Sequence, residues 1–83
     1  MANKEYNGWK NYQTWNVALW ANNDEWLYRS MVDYAKRAKR PPTWLGWVRS
    51  EGLVDVRTPD GCSYSGTRLC LKELNAMIRE LKN

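Results

Sequence analysis

The stretch Thr14-Trp15-Asn16-Val17-Ala18-Leu19-Trp20-Ala21-Asn22 decides the fold class. Between Trp15 and Ala21 only Asn16 is polar. A helix that is apolar on nearly every side is buried on nearly every side. The pattern predicts a short central helix wrapped by the others. Thr14, or Asn11 one turn earlier, can supply its N-cap, because a short polar side chain there accepts from an amide of the first turn. Asn16 inside so apolar a segment needs a partner, since an unpaired buried amide is costly. Asn11, Thr14 and Asn16 are therefore expected to satisfy backbone or indole groups.

Working outward, Asn22-Asn23-Asp24-Glu25 ends this helix and opens the next. Asn tolerates the left-handed conformation of a helix end, and Asp24 and Glu25 suit a positive N-terminal dipole. A second helix is predicted to about Lys39, closed by Pro41-Pro42. Its apolar face carries Leu27, Tyr28, Met31, Val32, Tyr34, Ala35 and Ala38. Thr43 caps a third, short helix from Trp44 to Glu51, with Trp44, Leu45, Trp47 and Val48 on one face. Gly52 and Leu53 fit a Schellman ending. Residues 53–66 read as a loop or a minimal β-hairpin about the turn Thr58-Pro59-Asp60-Gly61, where Pro presets φ and Gly accepts positive φ. Ser65-Gly66-Thr67 is expected to cap a last helix with the stripe Cys70, Leu71, Leu74, Met77, Ile78 and Leu81. The expectation is a mainly α, compact single domain over 1–83, of about four helices, with residues 1–8 as an extended or frayed lead-in.

Composition narrows the function. The 83 residues carry a net charge of +4 and include six Trp and five Tyr but no Phe and no His. Absence of His removes the commonest general base, the commonest zinc ligand and the Ser-His and Cys-His nucleophile pairs. Cys62 and Cys70 alone cannot close a four-ligand zinc site. They are expected as free thiols and small apolar fillers, because Met-Ala-Asn-Lys shows no apolar leader and points to a reducing cytoplasm. No apolar run approaches the roughly 20 residues of a membrane span. Asp24 and Glu25 read as caps, Asp60 as a turn former, and these with Asp55 do not assemble an oxygen-ligand centre. Neither a cofactor nor catalysis is expected.

Most of the aromatics phase onto apolar faces: Trp15, Trp20, Tyr28, Tyr34, Trp44 and Trp47. Trp9 and Tyr12 are expected to pack over the first helix. Trp9, Trp15 and Trp20 could instead form a base-stacking platform, but their apolar setting favours core. Trp26 alone falls on a charged face, with Arg29, Lys36, Arg37 and Arg40 and with Lys39 nearby. Trp26, Arg29, Lys36, Arg37 and Arg40 are the candidate partner-binding residues. Such a stripe suits an Arg-and-Trp hot spot for a protein or a phosphate-tracking surface for nucleic acid. It is also the composition of an ordinary solvated helix end.

The segment from Asn7 to Trp20, followed by Asn23-Asp24-Glu25, resembles a signature of small bacteriophage-encoded proteins: Asn-Tyr-x-Thr-Trp-Asn-Val-x-Leu-Trp, then Asn-Asp-Glu. Thr58-Pro59-Asp60-Gly61 and Leu74-Asn75-x-x-Ile78 match its later part. The likeness covers residues 7–28 and 57–81. It implies a phage or prophage accessory protein in the bacterial host cytoplasm, and it brings no catalytic residues with it. The family usually has a small residue where this chain has Trp26, which implies an exposed side chain there. The expected function is a non-catalytic protein that binds and modulates a host or phage protein. The alternative is a small basic nucleic-acid-binding protein using the Trp26–Arg40 face. A homodimer contact through Trp26 is a further reading, and no membrane partner is expected.

Overall fold

The computed structural model describes residues 6–82. It is mainly α, with four helices among the described residues: α1 (Tyr12–Asn23), α2 (Glu25–Arg37), α3 (Trp44–Ser50) and α4 (Leu71–Glu80). The expected lead-in at 1–8 lies largely outside the described residues. At its end Tyr6 and Trp9 exchange backbone hydrogen bonds of 2.9 and 2.7 Å around Asn7-Gly8.

Local chemistry sets the helix boundaries. The Asn11 carboxamide accepts from the Thr14 amide at 2.9 Å, so Asn11 rather than Thr14 caps α1. Asp24 ends α1 and caps α2 through the Leu27 amide at 3.0 Å. Thr43 caps α3 through Gly46 at 3.0 Å. Each cap satisfies one of the amides a helix leaves orphaned at its start. At the other end of α3, Gly52 has a φ of 72°. Its amide donates to the Arg49 carbonyl at 3.2 Å, and the Leu53 amide donates to that of Val48 at 2.8 Å. These are the two bonds of a Schellman ending.

Two boundaries differ from expectation. Helix α2 stops at Arg37, with Ala38 extended. The Lys82 ammonium donates to the Ala38 carbonyl at 2.6 Å, supplying from the far end of the chain the partner that another helical turn would have supplied. Helix α4 begins at Leu71 without a side-chain cap. Ser65-Gly66-Thr67 therefore belongs to the preceding loop, where the Ser65 hydroxyl donates to the Val54 carbonyl at 2.6 Å. The 53–66 segment is turns with one isolated antiparallel bridge, Arg57 to Ser63, and contains no paired strands.

The deepest layer is α3 rather than α1. Trp44 and Trp47 are fully buried, with ring centroids 5.1 Å apart. The Trp44 indole donates to the Tyr64 carbonyl at 2.7 Å, and the Trp47 indole donates to the Ser30 hydroxyl at 2.9 Å. Buried indoles need such partners. Leu74 and Ile78 of α4 and Met31 and Ala35 of α2 complete this layer. Helix α1 is not enclosed as its composition suggests. Its buried residues are Thr14, Asn16, Val17, Ala18 and Ala21, while Trp15, Leu19 and Trp20 are half-buried. Small side chains allow close approach of neighbouring backbone, which leaves the bulky rings at the margins. Tyr28, expected on an apolar face, is exposed, and Tyr64, unassigned from sequence, is buried.

Candidate functional site

Side chains of the Asn11–Trp20 segment converge on the 58–70 loop. The buried Asn16 side chain, on the first helix, lies opposite the Thr58-Pro59-Asp60-Gly61 turn. Its amide donates to the Asp60 carboxylate at 2.8 Å, and its carbonyl accepts from the Thr58 hydroxyl at 2.6 Å. The Trp20 indole donates to the same Asp60 oxygen at 3.0 Å. Thr58 in turn accepts from the Cys62 amide at 3.1 Å. One turn earlier, the Asn11 amide donates to the Arg68 carbonyl at 2.8 Å, and Thr14 accepts from the Cys70 amide at 2.9 Å. Asn11, Thr14, Asn16 and Trp20 thus tie α1 to a loop that has almost no regular structure of its own.

The electrostatics follow from these contacts. Hydrogen bonds from Asn16 and then Trp20 hold the Asp60 carboxyl below the usual carboxylate range. Burial, followed by the Asp60 charge, pushes the Cys62 thiol up. The Tyr12 hydroxyl is raised by desolvation and by Asp60. A thiol shifted upward is a poor nucleophile, so Cys62 acts here as core filler. Both cysteines are free. Among the described residues no group of three His, Cys, Asp or Glu side chains could hold a metal ion, and no helix is long and apolar enough to cross a membrane.

The sequence-derived candidates lie on or just beyond α2. Trp26 is 63% exposed, the most exposed of the large apolar side chains among the described residues. Arg29 and Arg37 are exposed but each is paired within the helix, Arg29 with Glu25 and Arg37 with Asp33 at 3.2 Å. Lys36 is exposed in the last turn. Arg40 lies beyond the helix end, so it does not share the helical face assigned to it from periodicity. The structure brings Trp26, Ser30, Asp33 and Arg37 onto one stripe at helical spacing. Ser30, Asp33 and Arg37 also line a shallow groove of about 330 Å³, together with Ser50 and Glu51 at the C-terminal end of α3. Of the sequence-derived candidates only Trp26 and Arg37 lie on this stripe, and the groove beside it needs the α2–α3 packing.

Asp60 forms the expected turn, and its second role, as an anchor for α1, is what sequence reading misses. As a turn former it explains itself locally, and nothing near it in the chain shows that its carboxylate anchors α1. Asn16, the one polar residue between Trp15 and Ala21, is the signal, because a buried amide requires an acceptor somewhere.

Fold and surface together define a small helical domain in which Asn11, Thr14, Asn16 and Trp20 hold a loop in place and an exposed Trp stands on a helix of mixed charge. The chain belongs to a family of unknown function (DUF7249), whose model matches residues 2–83. No curated protein and no solved structure matches it.

Proposed function

We propose that this is a non-catalytic accessory protein that binds and modulates another protein through the Trp26 face of α2, in the bacterial cytoplasm and in a phage or prophage setting. One observation carries the reading: the most exposed large apolar side chain stands among Arg residues whose charges are balanced by Glu25 and Asp33. Interfaces are anchored by a few Trp, Tyr and Arg side chains within a polar rim. Surface ion pairs of this kind add little to stability, so they fit the role of a rim better than that of a structural element. The same pairing favours a protein partner over a phosphate-tracking use of this face. Arg29 and Arg37 already have carboxylate partners, and net positive charge along the stripe is correspondingly small.

The groove lined by Ser30, Asp33 and Arg37, which follow Trp26 on its stripe, extends the surface toward α3, which suits a partner segment offering an apolar anchor point for the indole and charges of both signs. The resemblance of the N-terminal signature to small phage-encoded proteins supplies the biological setting. Absence of His supports the non-catalytic part. A tagged chain and its Trp26→Ala/Arg37→Glu variant, compared by affinity capture from bacterial lysate, test the reading. A specific partner retained by the parent and lost by the variant is expected. Equal recovery by both, or no specific partner, counts against it.

A further inference from the structure

A second cleft, of about 330 Å³, lies between Gln13 of α1 and the 57–69 loop. Among the described residues that line it, charge is carried by Arg57 and Arg68 alone. Neither forms an ion pair among the described residues. The Arg57 guanidinium donates once, to the Gly61 carbonyl at 3.0 Å, which fixes its position and leaves further donors. The carboxylate of the adjoining turn, Asp60, does not line the cleft and is held on Asn16 and Trp20 through its Oδ2, although its charge still reaches Cys62 in the lining. The side chains of Gln13, Ser63 and Thr67 add polar groups to the lining. The backbone amides of Thr67 and Arg68 donate to no protein acceptor among the described residues. Tyr12, next to Gln13, is exposed and belongs to a ring cluster with Tyr6 and Trp15, at centroid distances of 4.9–5.6 Å.

We infer that this cleft binds the phosphate of a nucleotide, with Arg57 and Arg68 as its charged ligands and the exposed ring of Tyr12, the chain neighbour of the lining residue Gln13, as the surface offered to the base. Two guanidiniums without carboxylate partners, beside neutral donors, are the complement of a phosphate dianion. Aromatic rings accept any base by stacking. The phosphate can come from a free nucleotide or from a strand. This inference is independent of the Trp26 face and uses none of its residues.

Amide and Arg Nε shifts of the full chain are followed by NMR during titration with inorganic phosphate, adenosine monophosphate and a twelve-residue oligothymidylate. Saturable shifts are expected at Ser63, Thr67 and Arg68 and at the Arg57 and Arg68 side chains. Adenosine monophosphate should bind more tightly than phosphate. The Arg57→Gln/Arg68→Gln variant should lose at least about tenfold in affinity, while Trp26→Ala binds as the parent does. Both arginines are exposed, so the variant is expected to fold, and circular dichroism checks that it does. A strand ligand shows tighter oligonucleotide binding that falls steeply between about 50 and 200 mM salt; a free-nucleotide ligand gains nothing from the strand. No saturable shift in the cleft with any of the three probes overturns the inference, as does binding unchanged in the double Arg variant.

Discussion

Asn16 and Asp60 stand 44 residues apart in sequence and are joined by a 2.8 Å hydrogen bond that holds the 58–61 turn against the first helix. Asn16 is fully buried, and both ends of its carboxamide are used, the nitrogen on Asp60 and the oxygen on Thr58. The most polar point of an apolar helix is thus the point that organises the least regular part of the chain.

Asn16→Ala removes the donor and the acceptor together. The Thr58 hydroxyl, itself buried, then loses its acceptor. A buried polar group left unpaired costs roughly 1–3 kcal/mol. For a domain of this size that corresponds to a fall in Tm of about 4–8 °C per kcal/mol, measured by thermal denaturation. A variant with unchanged Tm would show that the clasp adds nothing.

Stability should fall on the acid side through Asp60. Its folded carboxyl lies below the usual carboxylate range because it accepts from Asn16 and Trp20. A depressed folded value contributes stability that is present above the unfolded value of about 3.9 and is lost as pH falls through the folded one. Comparison of urea midpoints at neutral pH and at about pH 3 checks this. Asp60→Asn should show a smaller loss between the two conditions than the parent. In the alkaline range the sign reverses: Tyr12 and Tyr64 are raised, chiefly by burial, so their contribution is lost as pH rises past about 10.

Gly46 is a helix-interior glycine that cannot be improved. Gly to Ala in a helix usually gains about 0.5–1 kcal/mol. Here a Cβ would overlap the Tyr34 hydroxyl and crowd Thr43 Oγ1. Gly46→Ala is expected to destabilise, by roughly 1–3 kcal/mol for an overpacked site. In a Tyr34→Ala background the same change should cost less, because the obstructing ring is gone and only the Thr43 contact remains. Chemical denaturation of the four proteins of this cycle measures the coupling; additive effects would rule out the contact as its source.

Much of the fold is legible because it is locally encoded. The Asp24 and Thr43 caps, the Gly52-Leu53 ending and the α4 stripe each lie within one or two helical turns of the residues that reveal them. What escapes is set at a distance. The Ala38 carbonyl finds its partner in Lys82, and Trp44 finds the Tyr64 carbonyl. Periodicity gives the phase of Trp15 and Trp20 but not how closely neighbouring backbone approaches the small residues between them, so both were expected deeper than they lie. The candidate site divides the same way. The exposure of Trp26 follows from its phase on α2, whereas the Arg57–Arg68 cleft depends on a loop fold that Asn16 and Asp60 create together.

The proposed role of Trp26 makes its most direct demand on a comparison of stability with binding. An exposed side chain outside the core should change stability by no more than about 0.5 kcal/mol when truncated. Trp26→Ala/Arg37→Glu is therefore compared with the parent by urea denaturation and by affinity capture, with Arg57→Gln/Arg68→Gln as the off-face control. Because Arg37→Glu also breaks the pair with Asp33 and places a carboxylate in the last turn of α2, the Trp26 variant should stay within about 1.5 kcal/mol of parental stability while it loses a partner that the control retains. A partner captured equally well by the Trp26 variant would contradict it.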